Sequence, residues 1–490
     1  MNFNERDSKG EKTNSNYSPI IYNYYSTSST INNVTVVKSE KENPINLIDN
    51  WTYEDFHQNN RHVNTDTIPT FLNQCDLISL PTGVKRAVER LPKKILIPVD
   101  KDLKIAKEKC LIIASNCTST LFKDDEIWTN LSSTILNEQV KKGKDNTRIY
   151  KDVIKALCYS TNKTYPIIDI KNNSYGNPTY VVGEKSMQYK FHDSFNNFDI
   201  VNYELKNQDS IQKRRKFFLE KLNKAYKDPI ASNLINLYPK IDLPSEAEII
   251  KKGKELAKNK VKTKKGKTIA CLNNKKKENI KDFKDKSFVE DAIKLFRYLT
   301  SKGFIIPTEG TYESGGRVVD SFNLMNSWIR DECKIDGENI ETIDYKALHP
   351  NLNIKIYGGN TKYITHQQIA DFLNKDVKEI KIEHLSFFNK HPNQMKKSIL
   401  FKFYSEREPE MLERIINDKK KNGYKITSTR MFALEVAIMK SCIRRLNADN
   451  EYVGYVYDAL FCKESVTDKV LKVMNEEIIK HGVYTTACKE

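Results

Sequence analysis

The last third of the chain reads Ile340-Glu341-Thr342-Ile343-Asp344-Tyr345 and continues as Lys346-Ala347-Leu348-His349-Pro350. A second segment, Tyr455-Val456-Tyr457-Asp458-Ala459-Leu460, has the same character. Both are short runs rich in β-branched and aromatic residues, which predict strands, and each has an Asp beside a tight turn. Carboxylates on rigid neighbouring strands are typical of sites that hold two metal ions about 3.5–4 Å apart. We therefore expect Asp344 and Asp458 to lie on adjacent strands of one antiparallel sheet and to face one cleft.

Charge points to the class of partner. The chain has 490 residues, with 81 Lys and Arg against 64 Asp and Glu and a net charge of +17. This length allows several domains, and the positive excess favours a polyanion, with nucleic acid as the first candidate. The alternative is that the lysines reflect an AT-rich genome, since Asn, Ile and Lys are all abundant.

The cysteines and the apolar segments bear on the compartment. The nine cysteines are scattered, with no CxxC pair and no His at the spacing of a zinc site. Reduced thiols of a cytosolic protein are the expected interpretation. The first residues are polar and charged, and no apolar run approaches the about 20 residues of a membrane span. We expect a soluble protein of the cytoplasm, without a membrane partner.

The N-terminal half divides by composition. Residues 1–45 are rich in Asn, Ser, Thr and Tyr, which predicts a disordered tail, and residues 46–205 predict a mixed α+β domain. Within this domain, a helix over 148–158 and strands over 179–182 and 187–191 are compatible with a winged-helix module at 148–191. A general α+β packing unit fits the same pattern.

The centre of the chain is strongly basic. Residues 206–300 predict a helical region with runs such as Lys213-Arg214-Arg215-Lys216 and Lys275-Lys276-Lys277. Such runs are often solvated faces, but their position directly before the aspartate-bearing region also suits a thumb-like element that grips a phosphate backbone. Both interpretations remain open at this point.

Residues 301–490 predict strands alternating with helices. One long helix is marked by an apolar stripe at helical spacing: Phe432, Val436, Met439, Ile443 and Leu446. A β-hairpin over 451–462 follows, with Asp458 at its turn. The last helix is predicted to start at Ser465, with Asp468 three residues on as in a capping box.

Residues with chemical potential follow one another in a fixed order. They are Arg317 after two glycines, Asn323 and Asn326, Asp344 with Tyr345 and His349, Lys396, Lys397 and Tyr404 on a helix predicted over 393–404, and Tyr457, Asp458 and Glu464. Asp344 and Asp458 would hold two Mg²⁺ ions, with substrate phosphates completing the coordination. Lys396 and Lys397 suit the phosphates of a nucleoside triphosphate, and Tyr404, at i+8 on about the same helix face, suits the base pair or sugar. The guanidinium of Arg317 suits a phosphate of primer or template.

This order resembles the palm and fingers of family A DNA polymerases and of the related single-subunit phage-type RNA polymerases. In those families a Gly-Arg element precedes a motif A strand of Asp-Tyr type, and a Lys-x7-Tyr helix and a motif C hairpin of His-Asp type follow. Gly316-Arg317, Asp344-Tyr345, residues 396–404 and Tyr457-Asp458 are similar to these motifs. Glu464 is similar in place to the carboxylate that follows motif C. The resemblance covers residues 310–480.

The resemblance implies an α+β fold, a right-hand polymerase with an antiparallel palm sheet and helical fingers over 301–490. It implies a template-directed nucleotidyltransferase, a DNA polymerase that extends a primer with dNTPs in phage or plasmid replication. The implied cofactor is Mg²⁺, two ions, with Mn²⁺ as an alternative. The implied partners are a DNA primer-template, dNTPs and accessory replication proteins. The implied roles are catalytic for Asp344, Asp458 and Glu464, nucleotide-binding for Lys396, Lys397, Tyr404, His349 and Tyr345, and nucleic-acid-binding for Arg317, Asn323, Asn326 and Tyr457.

Three positions depart from the family pattern. Pro392 stands where an Arg precedes the helix lysine, and Tyr457 stands where His precedes the motif C Asp. His349 stands where DNA-specific members carry a Glu that blocks the 2′-hydroxyl, so a bulky imidazole favours dNTPs, while a hydrogen-bonding imidazole would favour ribonucleotides. Two other functions stay open: a non-catalytic nucleic-acid-binding replication protein, and a primase or RNA polymerase of the same fold.

Overall fold

The computed structural model describes residues 76–122, 128–141, 148–176, 178, 186–195, 199–263 and 266–490. The predicted tail over 1–45 and the predicted strand over 179–182 lie outside the described residues. What is described is a mixed α/β chain whose sheets are mainly antiparallel. Within these ranges no helix is long and apolar enough to cross a bilayer.

Short strands alternate with helices along the described chain. The strands are β1 (Leu77–Pro81), β2 (Thr129–Asn130), β3 (Ile168–Ile170), β4 (Gln188–Phe191), β5 (Ile200–Glu204), β6 (Ile241–Asp242), β7 (Thr268–Ala270), β8 (Lys286–Phe288), β9 (Thr308–Glu309), β10 (Val318–Val319), β11 (Lys334–Ile335), β12 (Glu338–Tyr345), β13 (Gly454–Val456), β14 (Ala459–Lys463) and β15 (Ala487–Lys489). The helices are α1 (Thr82–Glu89), α2 (Lys93–Leu96), α3 (Leu103–Ser115), α4 (Ser133–Val140), α5 (Tyr150–Leu157), α6 (Gln208–Lys227), α7 (Pro229–Leu237), α8 (Glu246–Lys258), α9 (Val289–Thr300), α10 (Ser321–Leu324), α11 (Ser327–Arg330), α12 (Leu348–Tyr357), α13 (His366–Leu373), α14 (Val377–Phe387), α15 (Pro392–Met395), α16 (Leu400–Arg407), α17 (Pro409–Asn422), α18 (Ile426–Ala448) and α19 (Thr467–Lys480).

Two hydrophobic cores organise the described residues. The smaller core begins at Ile78 and ends at Ile211, early in α6. The larger core begins at Phe218, in the second half of α6, and extends to Ala487. Helices α6 to α8 contribute apolar side chains such as Leu234 and Ile249 to the larger core. Their apolar faces therefore pack onto the C-terminal region, and the lysines of α6 and α8 are half-buried or exposed.

The larger core contains a six-stranded antiparallel sheet. Its strand order is β13-β14-β12-β11-β6, with β15 paired to the end of β12. The register pairs Ile340 with Lys463 at one end and Asp344 with Ala459 at the other. The predicted hairpin over 451–462 is confirmed as β13 and β14, joined by a two-residue turn.

Long helices cover one face of this sheet. Ile343 and Tyr345 are buried, and the Tyr345 hydroxyl donates to the Met474 carbonyl of α19 at 2.9 Å. Because side chains alternate along a strand, Asp344 points to the opposite face. The helix predicted from the apolar stripe is confirmed as α18, which is 23 residues long.

Two predicted helix boundaries are wrong. The helix expected over 393–404 is two helices, α15 and α16, separated by residues 396–399. In this gap the Ser398 hydroxyl accepts from the Leu400 N–H at 3.3 Å and donates to Glu383, which competes with helical hydrogen bonding. The last helix begins at Thr467 rather than at Ser465, whose N–H instead donates to Glu338 at 3.1 Å.

The predicted winged-helix module is only partly described. Its helix is observed as α5, and its second strand as β4. β4 lies between β2 and β3 in a three-stranded sheet, so both of its edges are already paired. The domain boundaries and the winged-helix assignment stay predictions.

Candidate active site

Asp344 lies where β12 ends, next to the turn of the β13–β14 hairpin. It pairs in register with Ala459, the residue that follows Asp458. The Tyr345 N–H donates to Asp344 Oδ1 at 2.7 Å, which orients this carboxylate. The two aspartates therefore come from neighbouring antiparallel strands at the same end of the sheet, as their strand-and-turn contexts predict.

The turn that carries Asp458 has an unusual backbone. Tyr457 adopts a φ of +59°, a region that bulky residues rarely occupy. Its ring lies 4.5 Å from the guanidinium carbon of Arg317, which is a cation–π contact. A strained turn persists only where its surroundings fix it, so the Arg317 contact helps to hold Asp458 in place.

Arg317 is fixed by a buried carboxylate that the sequence analysis missed. Its Nε and Nη2 donate to Glu435 Oε1 and Oε2 at 2.8 and 2.5 Å. The guanidinium carbon also lies 3.6 Å from the ring centroid of Phe432, so the group is sandwiched between Phe432 and Tyr457. Glu435 is fully buried in α18. The guanidinium predicted to reach a nucleic acid phosphate is therefore already paired inside the protein.

Gly315 explains how Arg317 reaches this helix. Its φ is +66°, and a Cβ built there would lie 2.5 Å from backbone atoms of Phe432 and Ala433. Any larger residue would therefore push the loop away from α18. Gly315 therefore allows close packing of this loop against α18.

His349 joins the same group of charges. It lies in the first turn of α12, after Ala347, which adopts a φ of +46°. Its Nε2 is 3.5 Å from Glu435 Oε2. The imidazole therefore shares one buried carboxylate with Arg317.

Asp458 interacts electrostatically with Arg317, His349 and Glu435, as the causes of its pKa shift show. Burial raises the pKa of the Asp458 carboxyl, and the nearby Glu435 carboxylate acts in the same direction. His349 and Arg317 act in the opposite direction. For Glu435 burial also acts to raise the pKa, but His349 and Arg317 outweigh it and hold that pKa below its ordinary value. Glu435 is therefore the ionised partner of Arg317, and Asp458 is a carboxylate that would gain from a further cation.

Glu435 had a signal in the sequence. It stands three residues after Phe432 and directly before Val436, inside the apolar stripe of α18. An ionisable residue on the buried face of a helix is rarely tolerated without a partner. The position of Glu435 in the apolar stripe could therefore have predicted a buried ion pair. Its partner Arg317, 118 residues earlier, is identified only by the structure.

The structure contradicts the catalytic assignment of Glu464. β14 runs for five residues away from the turn of Asp458, and Glu464 follows its far end. At about 3.3 Å per residue, that separation is on the order of 15–20 Å. Glu464 is exposed and lies beside the start of β12, where its neighbour Ser465 contacts Glu338.

The structure also contradicts the nucleotide-binding assignments of two tyrosines. Tyr345 is 5% exposed and lies behind the sheet, where burial raises its hydroxyl pKa far above the ordinary value. Tyr404 is fully buried, with its hydroxyl 2.8 Å from His384 Nε2 and its ring stacked on Phe387. Helix periodicity placed Tyr404 on the face of Lys396, but the break before α16 turns it into the core.

The remaining predicted contacts are mixed in their exposure. Lys396 and Lys397 are exposed, and Lys397 lines a surface pocket with Glu383 and Lys390. Asn323 is 8% exposed, so its predicted contact with nucleic acid is not available in this structure. Asn326 is half-buried, and the roles of both lysines and of Asn326 stay predictions.

The donor set limits how a metal ion would be held. The described residues contain no group of three or more His, Cys, Asp or Glu side chains arranged for a metal ion. Asp344 and Asp458 are the two carboxylates at the end of the sheet, while Glu435 is occupied by Arg317. This set fits Mg²⁺ only in its common mode, in which one or two carboxylates are completed by water and substrate phosphates.

Among solved structures, this chain is similar to the POL domain of Pol1 from M. smegmatis in complex with a DNA primer-template and dNTP. The identity is 12%, the TM-score is 0.34, and the match covers 58% of this chain and 72% of that chain. The likeness is therefore coarse. No family model matches this chain, and no curated protein matches it.

Proposed function

We propose that this protein is a template-directed nucleotidyltransferase, a DNA polymerase that extends a primer with dNTPs. The observation that carries the proposal is the placement of Asp344 and Asp458. They occupy the same end of adjacent antiparallel strands, next to a buried group of Arg317, His349 and Glu435. Such a carboxylate pair is suited to phosphoryl transfer with metal ions.

Asp344 and Asp458 are the residues that would hold Mg²⁺, with a triphosphate completing the coordination. Bound Mg²⁺ would supply charge neutralisation of the triphosphate and activation of the primer 3′-hydroxyl. The chain's own contribution is preorganisation. The Arg317 stack holds the turn of Asp458, and the Tyr345 N–H holds one oxygen of Asp344. Fixed donors and acceptors of this kind lower the cost of reorganisation during a reaction.

His349 is proposed to meet the sugar of the incoming nucleotide. It stands five residues after Asp344, and its Nε2 lies 3.5 Å from Glu435 Oε2. The bulk of an imidazole at this point would exclude a 2′-hydroxyl and thus favour dNTPs. The exposed Lys396 and Lys397 are proposed to attract the triphosphate.

Two other functions are compatible with a nucleic acid partner. The net charge of +17 would be enough for a non-catalytic nucleic-acid-binding replication protein. The hydrogen-bonding capacity of His349 favours a primase or RNA polymerase that accepts ribonucleotides. Both share the nucleic acid partner but differ in product.

One assay separates the three functions. A labelled primer on a DNA template is incubated with the purified protein, Mg²⁺ or Mn²⁺, and either dNTPs or NTPs. Extension with dNTPs that is lost in Asp458→Asn supports the proposal. Extension with NTPs alone indicates an RNA polymerase or primase. Binding of the primer-template without extension under either metal leaves the non-catalytic function and refutes the proposal.

A further inference from the structure

A basic cleft lies between the two cores. It has a volume of about 490 Å³ and is formed by α4, the middle of α6 and the segment after α9. Its charged lining residues are Lys213, Arg214, Lys216, Lys221, Lys302, Glu138 and Glu220, and its aromatic ones are Phe217 and Phe218. No residue of this lining belongs to the group around Asp344 and Asp458.

Positive charge dominates the cleft after internal pairing is considered. Glu138 is paired with Lys141 at 2.6 Å, and Glu220 lies 4.0 Å from Lys216. Lys213 is paired with Asp209 at 2.5 Å. Among the described residues, no carboxylate acts on the pKa of Lys221 or Lys302. Burial lowers the pKa of Lys302 to about 8, and the nearby Arg214 acts in the same direction. The cationic side chains of the lining outnumber its two carboxylates, so the cleft suits an anionic ligand.

The α6 wall alternates charge with an aromatic ring. Lys213, Phe217 and Lys221 recur at i, i+4 and i+8, so they share one helix face. Phe217 is 45% exposed and Leu219 is 38% exposed, whereas Ile211, Phe218 and Leu222 of the same helix are buried. The Lys221 ammonium lies 4.9 Å from the Phe217 ring centroid. From Lys213 to Lys221 the helix rises about 12 Å, which spans more than one phosphate of a strand.

We propose that this cleft binds a single strand of DNA, with Phe217 stacking on a base and Lys221 and Lys302 contacting its phosphates. Sequence-tolerant binding of single strands combines a basic groove with aromatic side chains that stack on bases. A duplex hides its base faces, so it cannot use the Phe217 ring. The charge spread along α6 favours a strand over a free nucleotide. This site goes beyond the proposed function because it does not require catalysis.

The test is fluorescence anisotropy of labelled oligo-dT with the full-length protein in EDTA and without nucleotides. Phe217→Ala is expected to weaken binding at least about fivefold, the lower range for loss of one base stack. Lys221→Gln with Lys302→Gln is expected to reduce the slope of log affinity against log salt by about 1.4, since each lost phosphate contact removes about 0.7. Circular dichroism and thermal melting check that each variant folds.

Matched controls come from the same chain. Tyr175→Ala removes a ring that is 87% exposed, and Lys93→Gln with Lys94→Gln removes two exposed lysines of α2. Neither lines the cleft, so both should bind oligo-dT as the wild type does. Equal losses in the controls and in the cleft variants would overturn the site. Displacement of oligo-dT by an equal concentration of dATP would overturn the strand as its ligand.

A separate readout keeps this proposal apart from the polymerase proposal. Asp344→Asn and Asp458→Asn should retain oligo-dT affinity in EDTA. An oligonucleotide carrying 5-iododeoxyuridine should crosslink to α6, and Phe217→Ala should lose the crosslink. If crosslinking maps to α6 but no extension occurs, only the polymerase function fails. If extension occurs but crosslinks lie elsewhere, only the cleft assignment fails.

Discussion

Arg317 and Glu435, which are 118 residues apart in the chain, form a doubly hydrogen-bonded ion pair with distances of 2.8 and 2.5 Å. Glu435 is fully buried, and Arg317 is sandwiched between Phe432 and Tyr457. The pair joins the Gly-Arg loop to α18 and to the turn of Asp458. It therefore packs against the turn of Asp458 and stabilises the candidate site, but Glu435 is not one of the two proposed metal ligands.

Glu435→Ala is expected to destabilise the protein by about 3–5 kcal/mol, the usual cost of leaving a buried charge without its partner. Glu435→Gln keeps one acceptor and the side-chain volume, so it should cost less. Thermal melting with the far-ultraviolet dichroism signal measures both. Glu313→Ala, which removes an exposed carboxylate from the same loop, is the control. Equal melting temperatures for Glu435→Ala and the control would contradict the structural role of the pair.

Asp458→Asn is expected to abolish primer extension while primer-template affinity stays nearly unchanged. The amide keeps the size of the carboxylate but cannot contribute the charge that a metal ion requires. Glu464→Gln is the contrast, because Glu464 lies at the far end of β14 and should leave extension intact. Single-turnover extension and filter binding measure the two quantities. Loss of extension in Glu464→Gln with activity retained in Asp458→Asn would reverse the assignment.

His349→Ala is expected to raise the use of NTPs relative to dNTPs, because the change removes bulk near the sugar. The ratio of kcat/KM for matched NTP and dNTP substrates measures it. Phe372→Ala, a truncation in α13 whose ring packs on Phe403 rather than on the carboxylate group, serves as the control for general loosening. A shift of His349→Ala toward dNTPs would show that the imidazole recognises the 2′-hydroxyl.

Lys397→Gln, alone or with Lys396→Gln, is expected to raise the KM for dNTPs with a smaller effect on kcat, since exposed ammonium groups attract the triphosphate before the reaction.

Tyr404→Phe is the contrast to the lysine variants. It should leave the KM unchanged, because its hydroxyl is buried against His384. It should instead lower stability by about 1–2 kcal/mol through the unpaired imidazole. Steady-state extension and melting give both values. A raised KM for dNTPs in Tyr404→Phe would instead support the predicted contact between Tyr404 and the nucleotide.

Asp320 makes stability depend on pH. Burial raises its pKa to about 6 from an ordinary value of 3.8, while the Asn323 N–H and the Tyr238 hydroxyl oppose the shift. Because the folded state binds the proton more tightly, this group stabilises the fold most at low pH and loses that contribution as pH rises toward about 6. The stability of the wild type relative to Asp320→Asn should therefore fall between pH 4 and pH 7. A difference in melting temperature that is constant with pH would contradict the shift.

The sequence alone identified the elements whose signal is local. The apolar stripe from Phe432 to Leu446 predicted α18, because burial of one helix face repeats every 3.6 residues. Alternation and the turn around Asp458 predicted the hairpin of β13 and β14, whose strands lie within one short stretch of residues. The pairing of this hairpin with the strand of Asp344 joins distant parts of the chain, and it was predicted only because the two aspartates would share one metal site.

Only the tertiary structure decided which side chains meet and which are covered. Glu435 pairs with Arg317, and Tyr404 lies in an aromatic core. Glu464 follows the end of β14 that is far from Asp458. Each outcome depends on a helix break, a strand length or a pairing between residues far apart in the chain. These outcomes result from hydrophobic burial and ion pairing between residues that are distant in the chain. A local pattern in the sequence therefore cannot predict them.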